Sequence, residues 1–412
     1  MTEAARVAAA AAAAEAYPRI VAALIRVTSD WTLAEDCAQE ALATALTRWP
    51  GEGVPGNPGG WLMTVARNRA LDVLRRATIE RRKLRELAAL RASAEDSEDG
   101  EGFEETGGGE EGDPMDDRLR LIFTCCHPAL SPEARVALTL RTICAVPTAD
   151  IARGFLVSES TMTRRLTRAK TKIAEAGIPY RAPAGAALEE RLPGVLAVLY
   201  LLFTQGYNPG GEPAFAEEAI RLGRLLARLM PAQPEAAALL ALFLLQHSRR
   251  AVRRDAAGNL VPLERQDRTR WDHLAIHEAT DILSGLGHVG PYALQARIAA
   301  CHATAPSVEG TDWRRIAACY DDLVRLLPSP VVELNRAVAH GYAFGPRAGL
   351  ALLAGLRAGG ALKDYPLLVA AEADLTARAG DRERAAVLFR EAAARTDGEA
   401  ERRALLERAA EL

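Results

Sequence analysis

Residues 92–117, ASAEDSEDGEGFEETGGGEEGDPMDD, interrupt the chain with a segment that cannot form part of a packed core. The segment holds twelve acidic residues, no basic residue and a single aromatic one. It has too little apolar surface to offset the conformational entropy that ordering removes. The sequence therefore predicts a flexible acidic linker here, with separately folded parts on either side.

The composition of these folded parts favours helices. Aromatic residues make up only 5% of the 412 residues, whereas hydrophobic residues make up 49%, with alanine and leucine abundant. Strands favour β-branched and aromatic residues, and helices favour alanine and leucine. We therefore predict an all-α protein of two to four domains. The six cysteines are irregularly spaced, which is typical of reduced thiols rather than of a disulfide framework.

Before the linker we predict helices at 17–29, 32–48 and 60–90. Thr32 with Glu35 three residues later forms a capping-box pattern at the start of the second helix. In that helix one side is polar and acidic, while Leu33, Cys37, Ala41, Leu42 and Leu46 form the side expected to pack inward.

After the linker we predict helices at 115–127, 131–144, 147–153 and 158–175. Serine is a preferred N-cap residue, so Ser131 and Ser158 are predicted to cap the helices that begin there. The short third helix, the turn that follows it and the fourth helix make a helix-turn-helix.

The last of these helices divides into two faces. Its polar face consists of Ser160, Thr163, Arg164, Thr167 and Arg168, all able to donate hydrogen bonds. Its apolar side consists of Met162, Leu166, Ala169 and Ile173. A helix that reads bases in the major groove needs this division, so the pattern favours DNA binding. An ordinary helical hairpin is the alternative. For Arg165, Lys170 and Lys172 we expect phosphate contact or solvation.

The region from Trp61 to Arg91 is also basic. Along one side of the predicted helix, at three- and four-residue steps, lie Arg67, Asn68, Asp72, Arg75 and Arg76. The arginines are suited to phosphate neutralisation, which predicts salt-sensitive binding. The role of Trp61 has two interpretations: it is a core anchor, or it is part of the binding face.

Three stretches in chain order resemble the extracytoplasmic-function sigma factors, the small specificity subunits of bacterial RNA polymerase. They are LAEDCAQEALATAL (33–46), NPGGWLMTVARNRALDVLRR (57–76) and LSPEARVALTLRTI with TADIARGFLVSESTMTRRLTRAK (130–143 and 148–170). VPGNPGGWL, DRLRLIFTCCHPALSPEARVALTLR and the long helical tail further resemble a subgroup with a C-terminal extension of tetratricopeptide-like repeats.

The resemblance implies roles for specific residues. Binding of core polymerase would fall to Glu35, Asp36, Gln39 and Glu40. Recognition of the −10 element would fall to Trp61, Arg67, Asn68, Asp72, Arg75 and Arg76, with Asn68 and Asp72 reading bases flipped from the melted strand. Recognition of the −35 element would fall to Ser160, Thr163, Arg164, Thr167 and Arg168. Without the resemblance, a solvated acidic face is the better interpretation of 35–40.

The resemblance also predicts domain boundaries. Residues 1–91 would form sigma region 2, 92–117 the linker, 118–180 the region 4 helix-turn-helix domain, and 181–412 a helical extension. In the extension, helices are predicted at 188–203, 217–230 and 234–248. Turns at Gly345 and Gly380 lie 35 residues apart, close to the tetratricopeptide period of about 34.

Other functional classes find less support. His273 and His277 lie four apart, as in helical zinc sites, but Leu274 stands where metal-dependent hydrolases have glutamate. Cys125, Cys126 and His127 have no second spaced pair to complete a zinc set. We see no phosphate-binding glycine loop, no signal peptide and no apolar run long enough for a membrane span.

The sequence thus predicts a cytoplasmic, non-enzymatic sigma factor without metal or cofactor, whose partners are core RNA polymerase and promoter DNA. The extension is expected to regulate it, through contacts within the chain or through a regulatory protein. The alternatives are a helix-turn-helix regulator that never enters polymerase and a zinc hydrolase built on 271–281.

Overall fold

The computed structural model describes residues 3–28, 30–92, 117–144, 146–155, 157–178, 180–207, 213–255, 261–287, 290–360, 362–363, 365–396 and 398–412. For residues 3–15, 80–92, 117 and 213 the description covers the backbone alone. The described residues contain helices and no β-strand, which confirms the predicted all-α class. No described helix has the length and apolar character that crossing a membrane would require. The predicted acidic linker, apart from its two end residues, lies outside the described residues.

The chain forms two compact units, residues 1–218 and 219–412. The first unit begins with three helices, α1 (Glu3–Thr28), α2 (Trp31–Glu52) and α3 (Pro58–Ala92). Tyr17, Ile20 and Leu24 of α1 are buried in the core that these helices share, as is Leu62 of α3. The helices that the sequence predicted before the linker are confirmed, although α1 extends much further toward the N-terminus.

The cap of α2 differs from the predicted capping box. Asp30 is the N-cap, and its Oδ1 accepts hydrogen bonds from the backbone N–H groups of Thr32 (2.9 Å) and Leu33 (3.0 Å). A short carboxylate at Asp30 satisfies the first donors of the helix, so Thr32 is not needed as a cap. This leaves the Glu35 side chain available for other contacts.

The helices predicted after the linker are confirmed. They are α4 (Asp117–Cys125), α5 (Pro132–Thr142), α6 (Thr148–Gly154) and α7 (Glu159–Glu175). Ser131 and Ser158 cap α5 and α7, each accepting a backbone N–H through Oγ at 3.3 Å. The helices α6 and α7 form the predicted helix-turn-helix. The helix α4 also packs on α1, so both helix groups belong to one compact unit.

Two further helices, α8 (Ala186–Tyr207) and α9 (Pro213–Leu229), follow the helix-turn-helix. The helix α8 packs on α4 and α5, and Arg191 Nη2 donates to the backbone oxygen of Phe123 at 2.7 Å. At the start of α9, Phe215 is fully buried, and a Cβ added to Gly154 would lie 2.3 Å from its Cε2 atom. The ring of Phe215 therefore lies directly on the last residue of α6.

The second unit is a series of helices. After the end of α9 it contains α10 (Pro234–His247), α11 (His273–Ser284), α12 (Pro291–Ala303), α13 (Trp313–Leu326), α14 (Pro330–Phe344), α15 (Pro346–Ala358), α16 (Pro366–Arg378), α17 (Arg382–Ala394) and α18 (Glu399–Ala410). The helices from α11 onward are joined by short connections, whereas a longer segment, which includes the short 3-10 turns Arg250–Val252, Leu263–Arg265 and Arg268–Arg270, lies between α10 and α11. Consecutive helices from α12 onward pack on each other. Gly345 and Gly380 both adopt φ +98°, which favours glycine, at the predicted matching turns between α14 and α15 and between α16 and α17.

The core of this unit passes from one helix pair to the next. One buried apolar cluster joins α12, α13 and α14, a second joins α14, α15 and α16, and a third joins α16, α17 and α18. Because neighbouring clusters share a helix, each pair is covered by the next one. This is the packing of a helical repeat array, in which no pair buries its apolar side alone.

Candidate nucleic-acid and protein interfaces

The polar face of α7 is exposed, as the helical spacing of its polar residues predicts. All five predicted −35 residues, Ser160, Thr163, Arg164, Thr167 and Arg168, are exposed. On the other side Met162, Leu166, Ala169 and Ile173 are buried. The hydroxyl groups of Thr163 and Thr167 donate to backbone oxygens four residues earlier, at 2.9 and 3.0 Å. Packing therefore fixes α7 from behind and leaves its polar face to solvent.

An open groove of about 500 Å³ runs between the start of α5 and α7. Its basic lining residues are Arg164, Arg165, Arg168 and Lys172. The guanidinium of Arg165 lies 5.7 Å from the centre of the Phe155 ring, a cation–π distance. Four cations around one groove attract an anion such as a nucleic-acid phosphate.

A second exposed polar face lies on α3. Its members are the predicted −10 residues Arg67, Asn68, Asp72, Arg75 and Arg76, all of them exposed. The Asp72 carboxylate lies 4.0 Å from an Arg75 Nη1 atom one turn along the helix. An acidic side chain can thus be accommodated within a basic face. This arrangement offers cations for phosphates and an amide and a carboxylate for base edges.

Trp61, at the start of α3, is half-buried. Its ring packs edge-on against Trp49 of α2, with 5.5 Å between ring centres. Asn57 Oδ1 accepts the backbone N–H of Gly60 at 2.9 Å and so fixes the first turn of α3. These contacts support the core-anchor interpretation of Trp61, whose role in −10 recognition stays a prediction.

The acidic side of α2 is only partly exposed. Asp36 and Glu40 are exposed and Gln39 is half-buried, and Glu40 Oε2 pairs with Arg69 Nε of α3 at 2.6 Å. Glu35, in contrast, is 3% exposed. The periodicity of α2 placed Glu35 on the solvent-facing side, and the structure corrects this because α5 and α7 cover it. Leu46, expected to face inward, is 39% exposed.

Glu35 is held by residues distant in the chain. Lys170 Nζ donates to its Oε2 at 2.8 Å, and Thr142 Oγ1 donates to its Oε1 at 2.8 Å. Arg141 Nε lies 3.8 Å from the same Oε2. Lys170, for which phosphate contact or solvation was expected, has a side chain only 18% exposed. The partners lie 107 and 135 residues from Glu35, so no spacing rule could have linked them.

Comparisons with known proteins find matches to family models in three parts of the chain. Residues 13–79 match "Sigma-70 region 2" and residues 120–173 match "Sigma-70, region 4". Residues 191–286 match a "Family of unknown function (DUF6596)". An "Uncharacterized protein R00370" of Rhizobium meliloti (strain 1021) is 43% identical over 351 residues, which cover 82% of this chain and 80% of that relative. No solved structure matches the chain.

The chain belongs to the sigma-70 family. It is an extracytoplasmic-function type of sigma factor with a C-terminal helical extension. Its role is therefore in transcription initiation, and such a role implies core RNA polymerase and promoter DNA as partners. The faces of α2 and α3 lie in region 2 of this sigma factor, and the polar face of α7 lies in region 4.

The histidine and cysteine clusters that the sequence analysis considered as metal sites make ordinary structural contacts. His277 Nδ1 pairs with Asp281 Oδ2 at 2.9 Å on the surface of α11. Cys125 and Cys126 are buried free thiols, and burial raises the pKa of Cys126 to about 12. In the part of the chain that the structure describes, no three His, Cys, Asp or Glu side chains are arranged to hold a metal ion.

Proposed function

We propose that this sigma factor binds core RNA polymerase through α2, directs it to promoters through α3 and α7, and is regulated by its own extension. The observation that carries the proposal is the pair of exposed polar faces on α3 and α7, one in each sigma region. It would act in the cytoplasm as a subunit without catalytic activity of its own.

The contact with polymerase is assigned to the exposed acidic side chains of α2. Asp36 and Glu40 present carboxylates to solvent beside Gln39, and charge complementarity favours a basic partner surface. Glu40 already pairs with Arg69, but both side chains are well exposed, so this pair contributes little and can exchange partners.

Recognition of the −10 element is assigned to α3. Arg67, Arg75 and Arg76 would neutralise phosphates along the helix, while Asn68 and Asp72 supply hydrogen-bonding groups for a base that has left the stack. A flipped base needs such groups on a fixed support, and the Asn57 cap with the Trp49–Trp61 contact provides one. The single-stranded DNA face would therefore follow directly on the anchored first turns of α3.

Recognition of the −35 element is assigned to α7. Arg164 and Arg168 lie one turn apart on the exposed face, and bidentate pairing of arginine with guanine is the most common specific contact in the major groove. The groove cations Arg165 and Lys172 would contact phosphates beside them.

The regulatory role of the extension is supported by its contacts with the region 4 helices. Arg191 binds the backbone of Phe123 in α4, and Phe215 packs on Gly154 at the end of α6. A shift of α8 or of the start of α9 would therefore change the packing behind the DNA-reading helix. A partner or signal acting on the extension would reach the promoter contacts by this route.

Run-off transcription with purified core polymerase tests the proposal, alongside a pull-down that measures holoenzyme formation. The double variant Asp36→Lys/Glu40→Lys is expected to lose holoenzyme formation and transcription, because the acidic face then repels a basic partner. Glu52→Lys is the matched control, since it reverses another exposed carboxylate of α2 that also pairs with an arginine, Arg48 at 2.9 Å.

The two outcomes separate the sigma factor from a free helix-turn-helix regulator. If the chain binds promoter DNA but never associates with core polymerase, the regulator is correct and the sigma proposal fails. If holoenzyme forms equally well with the double variant, polymerase contact does not use α2.

A further inference from the structure

The buried Glu35 lies in the middle of the helix that we assign to polymerase binding. It directly precedes Asp36, and Gln39 and Glu40 lie about one turn further along α2. Yet its side chain is 4% exposed, because Lys170, Thr142 and Arg141 of region 4 enclose it. Part of the polymerase-binding helix is thus covered by the second DNA-binding region of the same chain.

We call the contact of Glu35 with Lys170, Thr142 and Arg141 the joint between region 2 and region 4. Other contacts between the two regions extend it. Tyr180, just beyond α7, donates its hydroxyl to the backbone oxygen of Ala22 in α1 at 3.1 Å. The Tyr180 ring meets Trp31 edge-on, with 6.4 Å between ring centres, and Trp31 lies one turn before Glu35 on α2. The joint therefore combines the buried ionic contact of Glu35 with an aromatic contact and a hydrogen bond to α1.

The DNA-reading face of α7 is not part of the joint. Lys170 points toward α2, whereas Arg164 and Arg168 remain exposed on the other side of α7. The arrangement covers a polymerase-facing carboxylate and leaves the −35 face open. Its effect would fall on assembly with polymerase rather than on DNA contact by region 4.

We propose that this joint is an autoinhibitory contact, in which region 4 occupies the Glu35 side of α2 until core polymerase displaces it. The inference rests on the function proposed above. Lys170 supplies a cation and Thr142 a hydroxyl donor, the chemistry that a carboxylate-binding surface of a partner also supplies. In the open form, region 4 has left α2 and the whole of α2 can bind polymerase. The apparent affinity for polymerase is therefore proportional to the fraction of molecules in the open form.

Two measurements on the full-length chain test the contact. The first is carbodiimide labelling of carboxyl groups with glycine ethyl ester, read by tandem mass spectrometry, which reports the accessibility of Glu35 in the free protein. Asp36 is exposed in the same peptide and serves as the internal standard. The second is the affinity for purified core polymerase in the absence of DNA.

The variants are chosen on the region 4 side of the joint. Lys170→Met and Thr142→Val each remove one donor to Glu35 and leave α2 untouched. We expect about tenfold faster Glu35 labelling and tighter binding of core polymerase by a similar factor, because donors to a buried charge contribute strongly. Glu175→Gln removes an exposed charge from the same helix, and Thr142→Ser keeps the hydroxyl, so both should match the parent.

The outcomes distinguish this inference from the proposed function. If the two opening variants label faster at Glu35 but bind polymerase no more tightly than the parent, the joint is a structural contact and the inference is wrong. Unchanged labelling in both variants would also overturn it. If neither parent nor variants bind core polymerase, the proposed function itself fails, whatever the labelling shows.

Discussion

The contact between Phe215 and Gly154 allows a test of whether the extension packs on the helix-turn-helix. The test is whether one substitution, Gly154→Ala, raises or lowers the stability of the protein. Gly154 is the last residue of α6 and does not have a positive φ, so alanine is compatible with its backbone. In an uncrowded helical position, glycine to alanine stabilises a protein by about 0.4–1 kcal/mol, largely by restricting the unfolded chain.

Crowding reverses that expectation here. An added Cβ would lie 2.3 Å from Cε2 and 2.8 Å from Cζ of Phe215, both far below a normal carbon contact. Phe215 is 0% exposed, so its ring has no free space into which it can turn. Overpacking of this kind costs about 1–3 kcal/mol, which exceeds the backbone gain. We expect Gly154→Ala to destabilise the first unit by about 1–2 kcal/mol.

Thermal unfolding of the full-length protein measures the effect. For a unit of this size, 1 kcal/mol corresponds to a change in Tm of about 2–4 °C. The Phe215→Ala variant supplies the second arm of a double-mutant cycle, because removing the ring opens the space that the Cβ needs. In that background Gly154→Ala should raise Tm. If Gly154→Ala raises Tm in the parent as well, Phe215 does not pack on the helix-turn-helix, and the route from extension to α7 is lost.

Two further predictions concern charge. Lys172→Ala should reduce the slope of log binding constant against log salt concentration by about 0.9, the contribution of one phosphate contact, whereas Thr167→Val should leave the slope unchanged. An unchanged slope for Lys172→Ala would exclude a phosphate contact at Lys172. In the second unit, burial and the nearby Arg249 and Arg268 lower the pKa of His302 to about 4, so this ring is neutral in the folded protein at pH 5. Unfolding raises its pKa toward about 6.5, so stability is lost as pH falls through this interval, by about 2 kcal/mol at pH 5. Thermal unfolding measured at pH 7 and at pH 5 should show a smaller loss of stability for His302→Gln than for the parent. An equal loss of stability in both proteins would contradict the low pKa of His302.

Most of the secondary structure of this protein follows from local rules that the sequence displays. The helix-turn-helix, the serine caps at Ser131 and Ser158 and the two faces of α7 were all predicted, because each depends on residues within one or two helical turns. The turns at Gly345 and Gly380 were predicted from their spacing of 35 residues, which is close to a repeat period. The capping box at Thr32 was wrong because another local residue, Asp30, supplies a better-placed acceptor.

The tertiary structure alone decided which polar residues of α2 face solvent. Periodicity assigned Glu35 to the same exposed side as Asp36 and Glu40, and nothing near it in sequence indicates otherwise. Its burial depends on Lys170 and Thr142, which reach it only when α5 and α7 fold against α2. A buried carboxylate is tolerated only where donors and cations compensate its lost hydration, and such partners are supplied by the packing of distant segments. The sequence determined the helices and their faces, while the packing determined which of those faces are covered.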